Sequence, residues 1–349
     1  MKILYALQGT GYGHISRATE LIPLLKSKCD CDILISGYTG NAALPFEVNY
    51  AFRGFTFYTN ANGSVDFTRT LKGLSIKSIL KSIWTLQQTK YDLIISDFEP
   101  ISAYTALLTH TKCIELSHQS SVLKSKCPLP GSRFEQLSYK LLFKLICPSK
   151  HAIGFHFASI DNKTFTPIIR NTVRKIRPTS GTHITVYLPG FDPFLLKSFF
   201  EKNSELEFHI YSSEIKENVN YGNISLFKSD LTGFTSSLST SHAVICGAGF
   251  ETPAEALFLG KKLICIPMKS QYEQACNAAF LKNLGIRIEY ELEALYDLDN
   301  WLVKAPVISF DYPEITDILL ESILNSVKPQ KNKHNSIDQL SHQLYVREY

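Results

Sequence analysis

Short apolar runs, each ending in glycine, proline or a polar turn and followed by a segment of helical period, recur along the whole chain. Residues 2–8 (KILYALQ), 91–100 (YDLIISDFEP) and the run KCIELSH read as buried strands, and HITVYLPG, LEFHIYS, Ala243 to Ile245 and Leu263 to Ile266 repeat the pattern later. Near-continuous apolar strands alternating with helices are what a parallel sheet covered on both faces requires, so the class is α/β with Rossmann-like halves. GTGYGHISR is a loop running into a helix through Leu25. In 73–87, Ile76, Ile79, Leu80, Ile83 and Trp84 repeat at helical spacing with Lys77 and Lys81 off the stripe, and 133–150 mixes lysines with Leu, Phe and Ile in a further helix. The aromatic, turn-rich stretch 52–70 fits strands or a long loop. RNTVRKIRPTSGTH, near 171–182, marks a boundary. It separates an amino-terminal domain, 1–175, from a carboxy-terminal one, 182–310. Residues 311–327 carry a last helix, and 328–349 form a polar tail, partly disordered or a peripheral helix.

The densest chemistry lies between Ser241 and Gly285, which reads strand, glycine turn, helix, strand, loop, helix. Gly247-Ala248-Gly249 lets a backbone approach a ligand closely, and the helix that opens after Phe250 offers unpaired amides and a positive dipole end, which suit a phosphate. Thr252 and Glu255 follow in that helix, and Gly260 closes it as a C′ residue. The next strand ends at Pro267, and the loop after it delivers Gln271, Glu273, Gln274 and Asn277. Polar groups leaving neighbouring parallel strands converge at the carboxyl edge of a sheet, where open α/β folds bind ligands. A nucleotide site is expected there.

The amino-terminal half offers a second cluster. Glycines at 9, 11 and 13 suggest a dinucleotide fingerprint, but His14 stands at the third required position and no acidic residue ends CDILISG, so NAD binding is not expected. His14 has the imidazole that a general base near neutrality needs. Arg17 suits a phosphate or a nearby carboxylate, with Gly11 and Gly13 in the same loop. Asp97 and Glu99 end a strand pointing to the same edge, with Glu99 expected to join Gly11, Gly13 and Arg17 in an acceptor or phosphate loop; Asp97 could orient His14 and stabilise its protonated form. His118 ends the next strand, so either histidine could be the base.

Gly249, Thr252, Glu255, Gly260, Pro267, Glu273-Gln274 and Asn277-Ala278 resemble the donor-binding signature of GT-B glycosyltransferases. The string is similar both to the UDP-glucosyl/glucuronosyltransferases and to the peptidoglycan N-acetylglucosaminyltransferase. The resemblance implies two Rossmann-like domains facing each other across a cleft, with 311–327 as the closing crossover helix. It also implies that Glu255 holds the donor ribose and that Glu273 and Gln274 touch the donor sugar. Gly247 stands where those families have a diphosphate-binding His or Arg, and Glu251 replaces a frequent Asn, so diphosphate binding would lean on backbone amides at Gly247, Gly249 and Phe250. S-D-F-E-P and S-H-Q resemble strings in a prokaryotic group of glycosyltransferase-like proteins. Gly13, His14 and Arg17 also resemble a motif of the UDP-sugar hydrolases of nonulosonate synthesis, which keeps a nucleotide-sugar hydrolase or epimerase as the alternative. The function expected is an inverting, metal-independent glycosyltransferase of hexosyltransferase type, moving a sugar from a nucleotide-sugar, UDP-linked, to a hydroxyl acceptor, soluble or lipid-linked. No cofactor is expected, since the nucleotide-sugar is a substrate.

Composition narrows the setting. A chain of 349 residues, 44% hydrophobic and 19% charged, is a globular protein large enough for two cores. No run approaches the roughly 18 apolar residues of a spanning helix, and the amino terminus enters a strand directly, so neither signal peptide nor membrane span is expected. Eight cysteines, several inside apolar strands, read as reduced thiols in the cytoplasm. The charge is uneven: residues 1–175 hold 21 Lys and Arg against 11 Asp and Glu, +10, and the remainder 15 against 21, −6. A basic half attracts an anionic partner; a membrane surface at its cytoplasmic face is one candidate, while nucleic acid is disfavoured because no nucleic-acid-binding motif is present. Asp30-Cys-Asp32 and Asp297-Leu-Asp299 are not placed to bridge a diphosphate, and no metal site is expected.

Overall fold

The computed structural model describes residues 1–10, 12–37, 44–56, 67–122, 124, 129–161 and 163–327. Gly11 and the tail 328–349 lie outside the described residues, as does most of the turn-rich stretch 52–70. The chain divides into two compact units: one takes the described residues up to Arg170 and those from Tyr312 onward, the other is Asn171–Asp311.

The first unit runs β1 (Lys2–Gln8), α1 (Tyr12–Lys28), β2 (Asp30–Ser36), β3 (Tyr50–Phe52), α2 (Phe67–Gly73), α3 (Ile76–Leu86), β4 (Leu93–Asp97), α4 (Pro100–Thr109), β5 (Cys113–Ser117), α5 (Gln119–Val122), α6 (Arg133–Ile146), β6 (His151–Phe155) and β7 (Thr164–Phe165). Its seven strands lie in the order β3-β2-β1-β4-β5-β6-β7 with every pairing parallel. Alternation along β1 splits its side chains between two helical layers. Leu4 and Ala6 pack with Ile83 and Leu86 of α3 and Ile101 and Ala106 of α4, while Tyr5 faces the other way, toward Asp97.

The second unit runs α7 (Asn171–Arg174), β8 (His183–Tyr187), α8 (Pro193–Phe200), β9 (Glu207–Ser212), β10 (Val219–Tyr221), β11 (Ile224–Lys228), α9 (Leu231–Thr240), β12 (Ala243–Gly247), α10 (Glu251–Phe258), β13 (Lys262–Ile266), α11 (Tyr272–Asn283), β14 (Arg287–Ile288), a 3-10 turn at Leu292–Leu295 and α12 (Leu298–Lys304). Its sheet order is β10-β11-β9-β8-β12-β13-β14, parallel except for the β10–β11 hairpin. Val186, Ile210, Ile245 and Ile264 pack there against Leu196 and Phe200 of α8 and Leu298 and Leu302 of α12. A last helix, α13 (Thr316–Asn325), belongs to the first unit: Leu319, Leu320 and Ile323 are buried, and Lys28 of α1 pairs with Asp317 at 3.2 Å and Glu321 at 3.1 Å.

In each sheet the strand order reverses direction once, between β1 and β4 in the first and between β8 and β12 in the second. Loops leaving the carboxyl ends of such a pair diverge to opposite faces and open a crevice, which is where doubly wound sheets take their ligands. The loop after β1, the β4 end at Asp97 and the loop after β12 all lie at these switch points.

Two local expectations change. The helix after β1 begins at Tyr12 and runs on to Lys28 with Pro23 inside it, so Gly13 and His14 sit in its first turn instead of in the loop. The stripe on α3 also divides: Ile83 is buried and Ile79 packs on the core, whereas Ile76, Leu80 and Trp84 are exposed.

Gly260, at φ 62°, closes α10 as expected: its amide bonds the Leu257 carbonyl at 3.2 Å and the Lys261 amide bonds that of Ala256 at 2.9 Å, a Schellman pair. Lys261 is itself buried, and its ammonium donates to the carbonyls of Thr179, Ser239 and Ser241 at 2.6–2.8 Å, closing the end of α9. Lys261→Met keeps the stem but removes the donor from three carbonyls, of which that of Ser239 still accepts from the Thr179 amide at 3.0 Å. It is expected to lower unfolding free energy by about 2–4 kcal/mol, read by urea denaturation; a change under about 0.5 kcal/mol would deny the lysine this role.

Candidate active site

At the first switch point the carboxylate of Asp97, fully buried, collects three partners. Arg17 spans it bidentately, with Nη2 to Oδ1 at 2.7 Å and Nε to Oδ2 at 3.0 Å; His14 Nδ1 meets Oδ1 at 2.9 Å; and the Tyr5 hydroxyl lies 3.5 Å from Oδ2. These come together because His14 and Arg17 are three residues apart on α1, hence on one helix face, while Asp97 ends β4, the strand beside β1. Burial alone would raise the Asp97 pKa, but the charge of Arg17 and the hydrogen bonds from His14 and Arg17 outweigh it and hold the carboxyl below its ordinary value. Asp97 is therefore ionised, and the ring nitrogen facing it carries the hydrogen. His14 Nδ1–H donates to Asp97, leaving the lone pair on Nε2.

Arg17 suited either a phosphate or a carboxylate; in the structure its fork is committed to Asp97, and the side chain is only 2% exposed. Glu99 also has another task than the acceptor or phosphate loop expected for it. It caps α4, accepting from the amides of Ile101 at 3.0 Å and Ser102 at 2.6 Å and from the Ser36 hydroxyl at 2.6 Å, with no exposed surface. Phe98 between the two carboxylates takes φ 53°, a left-handed conformation that sends Asp97 toward α1 and Glu99 into the turn.

His118 follows β5 and is buried, its Nδ1–H donating to the Phe155 carbonyl at 2.7 Å. Its ring stands 5.7 Å from that of His156, another buried histidine, whose pKa burial pushes well below the usual value. The only sign of His156 in the sequence is its place in Phe155-His156-Phe157 at the end of a strand-like run.

At the second switch point β12 ends in Gly247. A Cβ added there would meet Gln274 Oε1 at 3.4 Å, whereas one at Gly249 would meet nothing within 4 Å. The backbone at Gly249 is thus open to a ligand while that at Gly247 is backed by α11. Phe250, the N-cap residue of α10, makes no side-chain cap hydrogen bond, and the first turn of the helix opens beside Gly249. Thr252 is half-buried and Glu255 buried on that helix. Gln274 and Asn277 brace the loops: Gln274 Oε1 accepts from the Met268 amide at 2.9 Å, and Asn277 Nδ2 donates to the Ala248 carbonyl at 3.0 Å. Glu273 is half-buried beside them. The string expected to bind a donor therefore also fixes the loop that would do so.

Residues 1–306 match the family model described as glycosyl transferase family 1, and the chain belongs to that family. The fold is shared with the glycosyltransferase SnogD from Streptomyces nogalater, at 13% identity over 98% of each chain with a TM-score of 0.55. It is shared also with the glycotransferase of kitacinnamycin, at 12% identity over 98% of this chain and 97% of that one with a TM-score of 0.56. Phytolacca americana UGT2, solved with UDP-2-fluoro-glucose and pterostilbene, matches at 13% identity over 98% of each chain with a TM-score of 0.54. No curated protein matches in sequence. The architecture is GT-B, and the chain is a glycosyltransferase, an enzyme that moves a sugar from a nucleotide-sugar donor to an acceptor.

Proposed function

We propose that this glycosyltransferase is inverting and metal-independent, with His14 as the base. The observation that carries the reading is the 2.9 Å contact between His14 Nδ1 and buried, ionised Asp97. Nε2 takes the proton from the acceptor hydroxyl as that oxygen bonds to the anomeric carbon. The bond from that carbon to the donor's diphosphate oxygen breaks, and its electron pair leaves with the diphosphate. One displacement of this kind inverts the anomeric centre. Asp97 stabilises the imidazolium formed, and amides in the first turn of α10 stabilise the leaving group.

A UDP-linked sugar is the donor that the string from Gly249 to Asn277 supports, in company with the UDP-2-fluoro-glucose of the UGT2 structure. A lipid-linked or cell-envelope glycan is the acceptor that the basic charge of residues 1–175 supports. Metal independence rests on the engagement of both Asp-x-Asp strings. Asp32 accepts from the Tyr91 hydroxyl at 2.7 Å, and Asp297 pairs with Arg287 at 2.8 Å.

The test is NMR of the product formed from a UDP-sugar of known anomeric configuration, in chelating buffer with and without acceptor. The expected product has the opposite configuration and forms only with acceptor. Retention, a requirement for added metal, or free sugar released at turnover rates without acceptor would overturn the respective parts, the last in favour of a hydrolase. A second expectation concerns Glu255. Glu255→Gln keeps the volume of this buried side chain but weakens its bonds to a ribose diol, and should raise the nucleotide-sugar Kd about 10- to 100-fold, roughly 1.5–3 kcal/mol. Calorimetry giving an unchanged Kd removes Glu255 from the donor site.

A further inference from the structure

α6 is a 14-residue helix with no buried residue. Phe143 and Ile146 hold it against Phe98 and Ala103, and the Tyr104 hydroxyl of α4 bonds the Leu145 carbonyl at 2.6 Å. On its other side Phe134, Leu137, Leu141 and Leu145 are each more than half exposed. Their spacing of three and four residues makes one stripe, roughly 16 Å long. Arg133, Lys140 and Lys144 fall at i, i+7 and i+11, on the same side of the helix beside it. α3, on the other flank of α4, repeats the arrangement: Ile76, Leu80 and Trp84 are each more than half exposed, with Lys77 and Lys81 next to them. Leu107 and Leu108 of α4 lie exposed in the same helical layer.

Such a surface needs an occupant, and charge decides which. α3, α4 and α6 together carry five Lys and Arg against one Glu. That single carboxylate, Glu135, is bound to Ser132 in a capping box. A second copy docked face to face would set five cations against five. Apolar side chains flanked by lysines with long stems instead match an anionic bilayer, where the rings and aliphatic chains enter the headgroup boundary and the ammonium groups reach the phosphates. We infer that the layer formed by α3, α4 and α6 is a docking face for an anionic membrane surface. The inference is independent of the catalytic assignment, since none of these residues belongs to the candidate site.

The test is co-sedimentation of the full chain with phosphatidylglycerol/phosphatidylcholine vesicles and with phosphatidylcholine alone, across a salt series. Trp84 supplies a second readout: the chain has two tryptophans, so Trp301→Phe leaves Trp84 as the only one, excited selectively over the tyrosines. Binding to the anionic vesicles, weakening with salt and blue-shifting Trp84 emission, is expected. Lys140→Glu/Lys144→Glu should lower partitioning by at least about thirtyfold, from about 1 kcal/mol per basic residue, and Leu137→Ser/Leu141→Ser should abolish the association. Calorimetry of nucleotide-sugar binding, unchanged in both double variants, shows that they remain folded and separates failure here from failure of the catalytic reading. Absence of vesicle binding at low salt, equal binding to neutral vesicles, or a dimer in solution dispersed by Leu137→Ser/Leu141→Ser would overturn the inference.

Discussion

Replacing His14 with alanine is expected to lower turnover by about 10²–10⁴-fold while leaving nucleotide-sugar affinity within a fewfold of its starting value. A base that acts on the acceptor proton contributes on that scale to the rate, and it takes no part in holding the donor. The geometry favours His14 over His118. Both imidazoles are fixed through Nδ1, but His14 is fixed by an ionised carboxylate, which stabilises the cation formed during the reaction, and His118 by a neutral carbonyl. The comparison to make is kcat for His14→Ala and His118→Ala beside the donor Kd of each. A large loss in kcat confined to His14→Ala agrees with the assignment, and full activity in that variant transfers it to His118.

The second large effect concerns Arg17. Asp97 has no exposed surface, so Arg17→Met leaves a buried carboxylate with only the His14 and Tyr5 contacts, and it also removes the guanidinium from above the Phe155 ring, 5.1 Å away. Breaking a buried pair in this way costs about 3–5 kcal/mol near neutrality. The dependence on pH has a definite sign. In the native protein the Asp97 pKa lies below the unfolded value of about 3.9, so its stabilisation is fully present above that value and fades as pH falls through the folded pKa. In the variant, burial without Arg17 raises the folded pKa and protonation relieves the cost. The gap between the two proteins should therefore be widest near pH 7 and shrink towards pH 3. Denaturant titrations showing the same gap at both pH values would deny Asp97 its part in it.

Much of this was legible in the sequence, for reasons that differ between elements. Apolar runs such as ILYAL and AVIC can only be strands buried on both faces, and Gly260 can only be a helix terminus, so the α/β layering and the end of α10 follow from local chemistry. His14 and Asp97 were readable as partners because each leaves the carboxyl end of a strand. Arg17 was not decidable: a guanidinium at a helix start fits a phosphate as well as a carboxylate, and only the adjacency of β1 and β4 chooses between them. Glu99 was misjudged for a related reason. Asp97 and Glu99 stand two apart and look equivalent along the chain, but the left-handed turn at Phe98 sends one to α1 and the other to the amides of α4. The division of the α3 stripe was likewise hidden, because helical spacing fixes which residues share a side but not how much of that side a neighbouring helix covers.

The placement of α13 bears on how the chain reaches its native state. Its buried Leu319, Leu320 and Ile323 complete the unit that starts at residue 1, yet they leave the ribosome after the whole of Asn171–Asp311. The unit whose synthesis begins first is thus the last to be finished, with the α1 face that receives α13 waiting uncovered while the other unit is made. Cutting the gene at residue 170 would not yield two self-sufficient halves, whereas a circular permutant that starts at Tyr312 and runs on into Met1 would make each unit continuous and let the first close as soon as it emerges.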